Sequence, residues 1–225
     1  MDNDVLRQAP LFSALDDEAA TALRASMSES RLQRGDVLFH EGDAGDKLYI
    51  VLDGKVKLGR TSSDGRENLL AILGPGQMFG ELSLFDPGPR SATVTAVTDA
   101  AFASLSHDDL LRWLEGRPVV ARGLLSQIAS RLRKANDVNA DLVFSDVPGR
   151  VAKALLDLAS RFGVEVEDGL RVTHDLTQEE LAQLVGASRE TVNKALADFA
   201  SRGFLRLEGR GVVIFELDRL RRRAG

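Results

Sequence analysis

Two textures of apolar and polar positions meet near Pro118. From about Arg34 to Leu105, glycine recurs at Gly35, Gly42, Gly45, Gly54, Gly65, Gly74, Gly76, Gly80 and Gly88. Between these lie short runs, Asp36–Phe39, Lys47–Leu52, Lys55–Arg60 and Asn68–Leu73, rich in apolar or β-branched residues. Short runs at that spacing, bounded by turn residues, predict an antiparallel β-sandwich, barrel or roll. Asp53-Gly54 and Asp64-Gly65 supply tight turns. Ser91–Val97 alternates small polar with apolar residues, as a half-buried strand does.

The period changes at Ser106–Trp113, where Ser106 and Asp109 have the spacing of a capped helix start. Pro118 suits the first turn of a second helix. In that helix Leu124, Ile128, Leu132, Ala135, Val138 and Leu142 step by three or four residues for about five turns. A long helix with a narrow apolar seam packs on its own domain, pairs with the same helix of a second subunit, or does both in part. Ser145–Gly149 reads as a hinge-like break, followed by a helix from about Arg150 to Phe162. The domains expected are 1–117, 118–145 for the long helix and hinge, and 146–225.

Thr177-Gln178-Glu179-Glu180 is a capping box and starts another helix, with Leu181, Leu184 and Val185 as its buried stripe. Gly186 makes the turn, and Ser188 caps a second helix in which Val192, Ala195, Leu196 and Phe199 share one face. This is the grammar of a helix-turn-helix. Arg189, Glu190, Asn193 and Lys194 fall on the flank and opposite side, where a recognition helix meets base edges: Arg suits guanine, Glu suits cytosine N4, and Lys reaches guanine or phosphate. Gly203–Leu207 and Gly211–Ile214 read as a two-stranded wing, with Arg206 and Arg210 available for phosphates. A helical hairpin with a solvated charged face is the plainer alternative.

Composition narrows the chemistry. The chain has 225 residues and no cysteine, which excludes disulfide scaffolds, Cys nucleophiles, thiolate zinc sites and iron–sulfur clusters held by Cys. No apolar run approaches the roughly 20 residues that span a bilayer. The opening MDNDVLRQAP has acids where a signal peptide has bases, so a cytoplasmic protein with no membrane partner is expected. His40, His107 and His174 lack metal-ligand spacing, and neither a phosphate loop nor a nucleophile elbow is present. No catalytic constellation and no metal site are expected. The formal net charge of −5 is compatible with DNA binding through a local basic face.

Ala187–Val192, preceded by Leu181–Gly186, resembles the helix-turn-helix of the cyclic AMP receptor protein (Crp/Fnr) family of transcription regulators. Phe79–Phe85 and Arg90-Ser91-Ala92 look like that family's phosphate-binding cassette. Gly45–Gly54 is similar to its β-roll signature, and Phe144–Arg150 to its interdomain hinge. The residues themselves fit such a cassette. Gly80 lets a ligand approach the backbone, and the N–H groups of Glu81, Leu82 and Ser83 can open a helical turn toward an anion. Arg90 offers a guanidinium fork for a phosphate and Ser91 a hydroxyl donor.

The resemblance implies an α+β protein: an antiparallel, jelly-roll-like β-roll that binds cyclic nucleotide, a long dimerisation helix and a winged helix-turn-helix. It implies cyclic AMP as allosteric ligand, no catalytic cofactor, and double-stranded DNA, RNA polymerase and a second copy of the chain as partners. It gives Glu81 the ribose 2′-OH, places Ala135 and Asn136 at the adenine edge, and makes Arg189 and Glu190 readers of palindromic GTGA-type half-sites. Ala135 stands where a threonine hydroxyl is expected, a bond worth about 0.5–1.5 kcal/mol. It keeps open a regulator of the same fold that answers to another effector or binds DNA without nucleotide.

Overall fold

The computed structural model describes residues 3–9, 12, 15–86, 88–115 and 117–225. Two compact units divide them, one of residues 1–66 and 70–133, the other of 67–69 and 134–225.

In the first unit, α1 (Asn3–Gln8) and α2 (Asp17–Ala25) precede the strands. The strands are β1 (Ser28–Leu32), β2 (Val37–Phe39), β3 (Lys47–Asp53), β4 (Val56–Thr61), β5 (Glu67–Leu73) and β6 (Met78–Phe79). A single turn, α3 (Leu82–Phe85), separates these from β7 (Thr93–Ala96) and β8 (Ala100–Ser106). They form two four-stranded sheets, ordered β1-β8-β3-β6 and β2-β7-β4-β5. Every register given for this unit is antiparallel, so the expected roll is present.

β3 runs apolar from Leu48 to Leu52 because both of its faces are covered. Leu48 and Ile50 belong to a core shared with Leu6, Leu23, Leu110, Trp113, Val120 and Leu124. Val51 belongs to the interior of the roll with Val56, Leu73, Phe79, Val94 and Phe102. Helix α4 (His107–Leu114) starts where Ser106 accepts a hydrogen bond from the backbone of Asp109. Trp113 is buried, as a packing residue should be, with the Arg117 guanidinium 4.2 Å from its ring centroid.

Helix α5 (Pro118–Phe144) is 27 residues long, or about 40 Å. Its apolar seam is not uniform. Val120 and Leu124 are buried in their own unit's core, whereas Leu132, Val138 and Leu142 are 61%, 48% and 49% exposed. The early seam therefore serves the fold, and only the later part is open to a partner.

The second unit holds α6 (Val147–Phe162), β9 (Gly163–Val166), β10 (Gly169–Thr173), α7 (Gln178–Val185), α8 (Arg189–Ser201), β11 (Leu205–Glu208), β12 (Gly211–Ile214) and α9 (Leu217–Ala224). The break after α5 is shorter than its sequence suggests. Asp146 caps α6 by accepting from the Gly149 N–H at 2.9 Å, so Val147-Pro148-Gly149 is already the first helical turn. Proline is tolerated there because its missing N–H would have had no intrahelical partner. The wing forms, but as part of a four-stranded sheet ordered β11-β12-β10-β9. The hairpin β9–β10, joined through Glu167-Asp168, was not expected.

Candidate functional site

Gly80, Glu81, Leu82, Arg90 and Ser91 converge on one cleft of the roll, together with Phe39, Leu58, Phe79, Ala92, Val94 and Arg131. β6 delivers Gly80, and the turn α3 follows at once, so the cassette is a strand-to-helix corner. Gly80 has φ +80°, a left-handed conformation that costs other residues about 1–2 kcal/mol. A Cβ there would lie 2.8 Å from Arg90 Nη1 and 3.0 Å from the Lys47 carbonyl oxygen. The glycine is required twice, by the turn and by the arginine beside it.

Arg90 is 4% exposed. It donates from Nη1 to the Gly80 carbonyl at 2.9 Å and lies over Phe39, 4.3 Å from the ring centroid. Tyr49 and Phe79 stack beneath this region at 5.3 Å. Burial pulls the Arg90 guanidinium below its ordinary value, against the pull of Tyr49, Asp46, Asp43 and Glu81. It still carries its charge, since arginine does not deprotonate in proteins. Burial also pushes the Tyr49 phenol up, opposed by Arg90.

Glu81 is 1% exposed. Arg131 of α5 donates to Glu81 Oε1 at 2.5 Å and, through its other terminal nitrogen, to the Met78 carbonyl. Glu81 Oε2 is buried and has no hydrogen-bond partner among the described residues. A buried carboxylate oxygen left without a donor is costly, and a ligand hydroxyl would satisfy it. The free volume is about 50 Å³, small beside the ~300–1,000 Å³ of most ligand pockets. Arg131, which sequence reasoning did not select, is among its walls. The signal for it existed: Gln127, Arg131 and Ala135 are spaced by four and share a helix face.

Of the other expected ligand residues, the side chain of Ser83 lies outside the described residues. Ala135 and Asn136 are exposed and belong to the second unit. Ser91 is exposed at the cleft.

The helix-turn-helix is formed as expected. Thr177 and Glu180 complete a reciprocal capping box, and Gly186 closes α7 in a left-handed conformation at φ 63°. Ser188 caps α8 by accepting from the Thr191 N–H at 3.2 Å. Val192, Ala195, Leu196 and Phe199 are buried, while Arg189, Glu190 and Lys194 are exposed. Lys194 and Glu190 pair at 2.7 Å, a contact both can exchange for a nucleic acid because both side chains are largely solvated. Asn193 is half-buried, its Oδ1 out of solvent and without a partner among the described residues. It is less open than Arg189, Glu190 and Lys194.

Arg206 has partners that the sequence did not suggest. It pairs with Asp168 at 3.1 Å and Glu208 at 2.8 Å, and these carboxylates raise its pKa. The unexpected β9–β10 turn supplies Asp168, and because Arg206 is half exposed these surface pairs can be exchanged for a phosphate. Arg210 donates to the Asp175 carbonyl at 3.4 Å. His174 is buried and accepts from the Leu176 N–H at 3.1 Å, a structural role.

A family model for a cyclic nucleotide-binding domain matches residues 29–117, and one for a Crp-like helix-turn-helix domain matches residues 149–223. Over 222 residues and 99% of each chain, the sequence is 54% identical to the CRP-like cAMP-activated global transcriptional regulator of Mycobacterium tuberculosis. The chain belongs to the Crp/Fnr family of transcription regulators. It is also 40% identical over 209 residues to the cyclic AMP receptor protein of Thermus thermophilus, covering 92% of this chain and 93% of that one. Among solved structures, the c-di-GMP responsive global regulator CLP of Xanthomonas campestris matches with TM-score 0.76 at 26% identity, over 89% of this chain and 99% of that one. As a Crp/Fnr regulator the chain is not an enzyme, and its two kinds of site are for recognition. No helix among the described residues is long and apolar enough to cross a membrane.

Proposed function

We propose that the chain is a cyclic AMP-responsive regulator that binds palindromic GTGA-type DNA as a homodimer. The observation that carries the ligand half is the pairing, in one cleft, of the buried Arg90 guanidinium with the unpartnered Oε2 of Glu81. The first suits a cyclic phosphate, and the second accepts a ribose hydroxyl. Asn136 is offered for the adenine edge, without help from Ala135. The activation by cAMP named for the M. tuberculosis relative supports the same ligand.

A nucleotide needs more room than about 50 Å³, so entry displaces the Arg131 guanidinium or the α3 turn. Since Arg131 is a residue of α5, ligand binding then has a direct purchase on that helix. The ligand acts by favouring one arrangement of the helix over another. The open seam at Leu132, Ala135, Val138 and Leu142 supports an isologous contact with a second copy. A two-fold dimer presents its two α8 helices about 34 Å apart, one turn of DNA. Thr177 and Ser188 set the helix starts, and Arg189, Glu190, Lys194 and the less open Asn193 read bases or phosphates. RNA polymerase is the further partner that a transcription regulator requires, and the work of such a complex is intracellular.

The test is a titration of labelled TGTGA-N6-TCACA duplex at fixed salt, with no nucleotide, cyclic AMP or cyclic GMP. Tighter binding with cyclic AMP, abolished in Arg90→Ala, is expected. Equal binding in all three conditions would overturn the nucleotide response and favour the reading that Ala135 supports, a regulator of DNA without this effector.

A further inference from the structure

Arg90 is gripped by a segment that lies outside the cassette motif. Strand β2 ends at Phe39, and its register against β7 slips there. Val37 pairs with Thr95 and Phe39 with Val94, so Leu38 is an extra residue on β2. A bulge of that kind bends the strand and re-aims a side chain. The ring of Phe39 lines the cleft, with the Arg90 guanidinium 4.3 Å from its centroid. The loop that follows holds the backbone of the same arginine. The Gly42 N–H donates to the Arg90 carbonyl at 2.9 Å, and the Arg90 N–H donates to the Asp43 carbonyl at 2.8 Å. Asp43 Oδ2 also accepts from the His40 N–H at 2.8 Å, closing the loop on itself, and Ala44 bridges to Pro89. Residues 39–44 thus seat Arg90 twice, by a ring at its side chain and by hydrogen bonds at its backbone.

The ring does more than fill space. A guanidinium is planar, and one laid on an aromatic face keeps the N–H groups at its edge for a phosphate. The attraction of a cation to a π face is also strongest where water is excluded, and Arg90 is 4% exposed. Tyr49 is the second ring near this charge, at 5.7 Å, and its centroid lies 5.8 Å from that of Phe39. We infer that Phe39 is a positioning residue for the cyclic nucleotide, holding the Arg90 guanidinium ready before the phosphate arrives. A ligand that meets an arginine already in place does not have to order it, and the saving appears as affinity. The inference rests on the nucleotide reading of the cleft given above.

The test is a calorimetric titration of cyclic AMP into the full chain with Phe39 carrying one, two or three ring fluorines. Fluorine drains negative charge from the ring face with little change of shape, so affinity should fall stepwise with each substitution. The total loss expected is about 3- to 30-fold, the range of a cation–π contact from partly solvated to desolvated. A role in packing alone predicts a flat series, because the fluorinated rings are no smaller and no less apolar. Phe39→Leu keeps apolar bulk without a π face and should weaken binding at least as much as the trifluorinated ring. Arg90→Ala separates the two levels of the reading. A flat series, with binding lost in Arg90→Ala, overturns the role of Phe39 and leaves the cleft as the nucleotide site. Wild-type affinity in Arg90→Ala overturns both.

Discussion

The two recognition elements of this chain are built in opposite ways. In the roll, the two charged side chains offered to a ligand are almost wholly enclosed, Arg90 by an aromatic floor and Glu81 by Arg131. In the helix-turn-helix, Arg189, Glu190 and Lys194 stand in solvent, and only the caps and apolar face beneath them are fixed. Enclosure makes function and folding share the same contacts. Exposure separates them, so the reading residues can change while the scaffold stays. Substitutions in the roll should therefore alter ligand affinity and stability together, and substitutions on α8 should alter only DNA affinity.

Gly80→Ala tests the first half most severely. The left-handed turn and the 2.8 Å approach to Arg90 together should cost about 3 kcal/mol. Calorimetry should record at least a hundredfold weaker cyclic AMP binding, with a lower melting temperature. Wild-type affinity in this variant would mean that the corner is not part of the site. Arg189→Ala tests the second half. A loss of about 1–3 kcal/mol in binding of a GTGA duplex is expected, with stability unchanged within ~0.5 kcal/mol. A fall in melting temperature would blur the contrast.

Arg131→Met strips a buried carboxylate of its ion pair. Because Arg131 itself is partly exposed, the loss in urea denaturation should be about 1–2 kcal/mol, below that of a fully buried pair. No loss would show that Glu81 finds another donor. Ser188→Ala removes the cap of α8 and should cost about 1 kcal/mol, weakening DNA binding only as far as the helix start frays. Circular dichroism and the duplex titration would separate the two effects.

The smallest effect is electrostatic. The Arg223 hydrogen bond, followed by the Gly149 N–H, holds the Asp146 carboxyl below its usual range. Its contribution is therefore present above the unfolded value of about 3.9 and is lost as pH falls through the lower folded value. Asp146→Asn should lower stability slightly at neutral pH and flatten the acid limb, converging on the wild type as pH falls below about 4. An identical acid limb would detach this ion pair from folding.

The fold was legible wherever one residue type had one physical duty. Glycines marked the turns of the roll, and the Thr177 and Ser188 caps marked α7 and α8. The helix start at Val147 was obscured because Pro148 and Gly149 read as breakers, although the cap Asp146 was in plain view. The β9–β10 hairpin was hidden by its length of four and five residues, too short for alternation to register, although Asp168-Gly169 is a hairpin dipeptide. In the candidate site, Gly80, Glu81 and Arg90 were legible as a local cluster. Arg131 arrives from 50 residues away, and its signal, the four-residue spacing with Gln127 and Ala135, does not tie it to the cassette. The partner of Arg206 was hidden for the same reason, because Asp168 belongs to the hairpin that went unseen.

Strand β3 separates two cores. The strand is a party wall, one residue thick, with Tyr49 toward the aromatic floor under Arg90 and Leu48 and Ile50 toward the core that holds Trp113. Trp113 is the sole tryptophan of the chain, so the protein carries its own optical reporter on the far side of that wall. Its emission wavelength can follow occupancy of the cleft in the unlabelled wild type, and the Arg117 guanidinium over its ring makes it sensitive to small shifts of the helices it packs among.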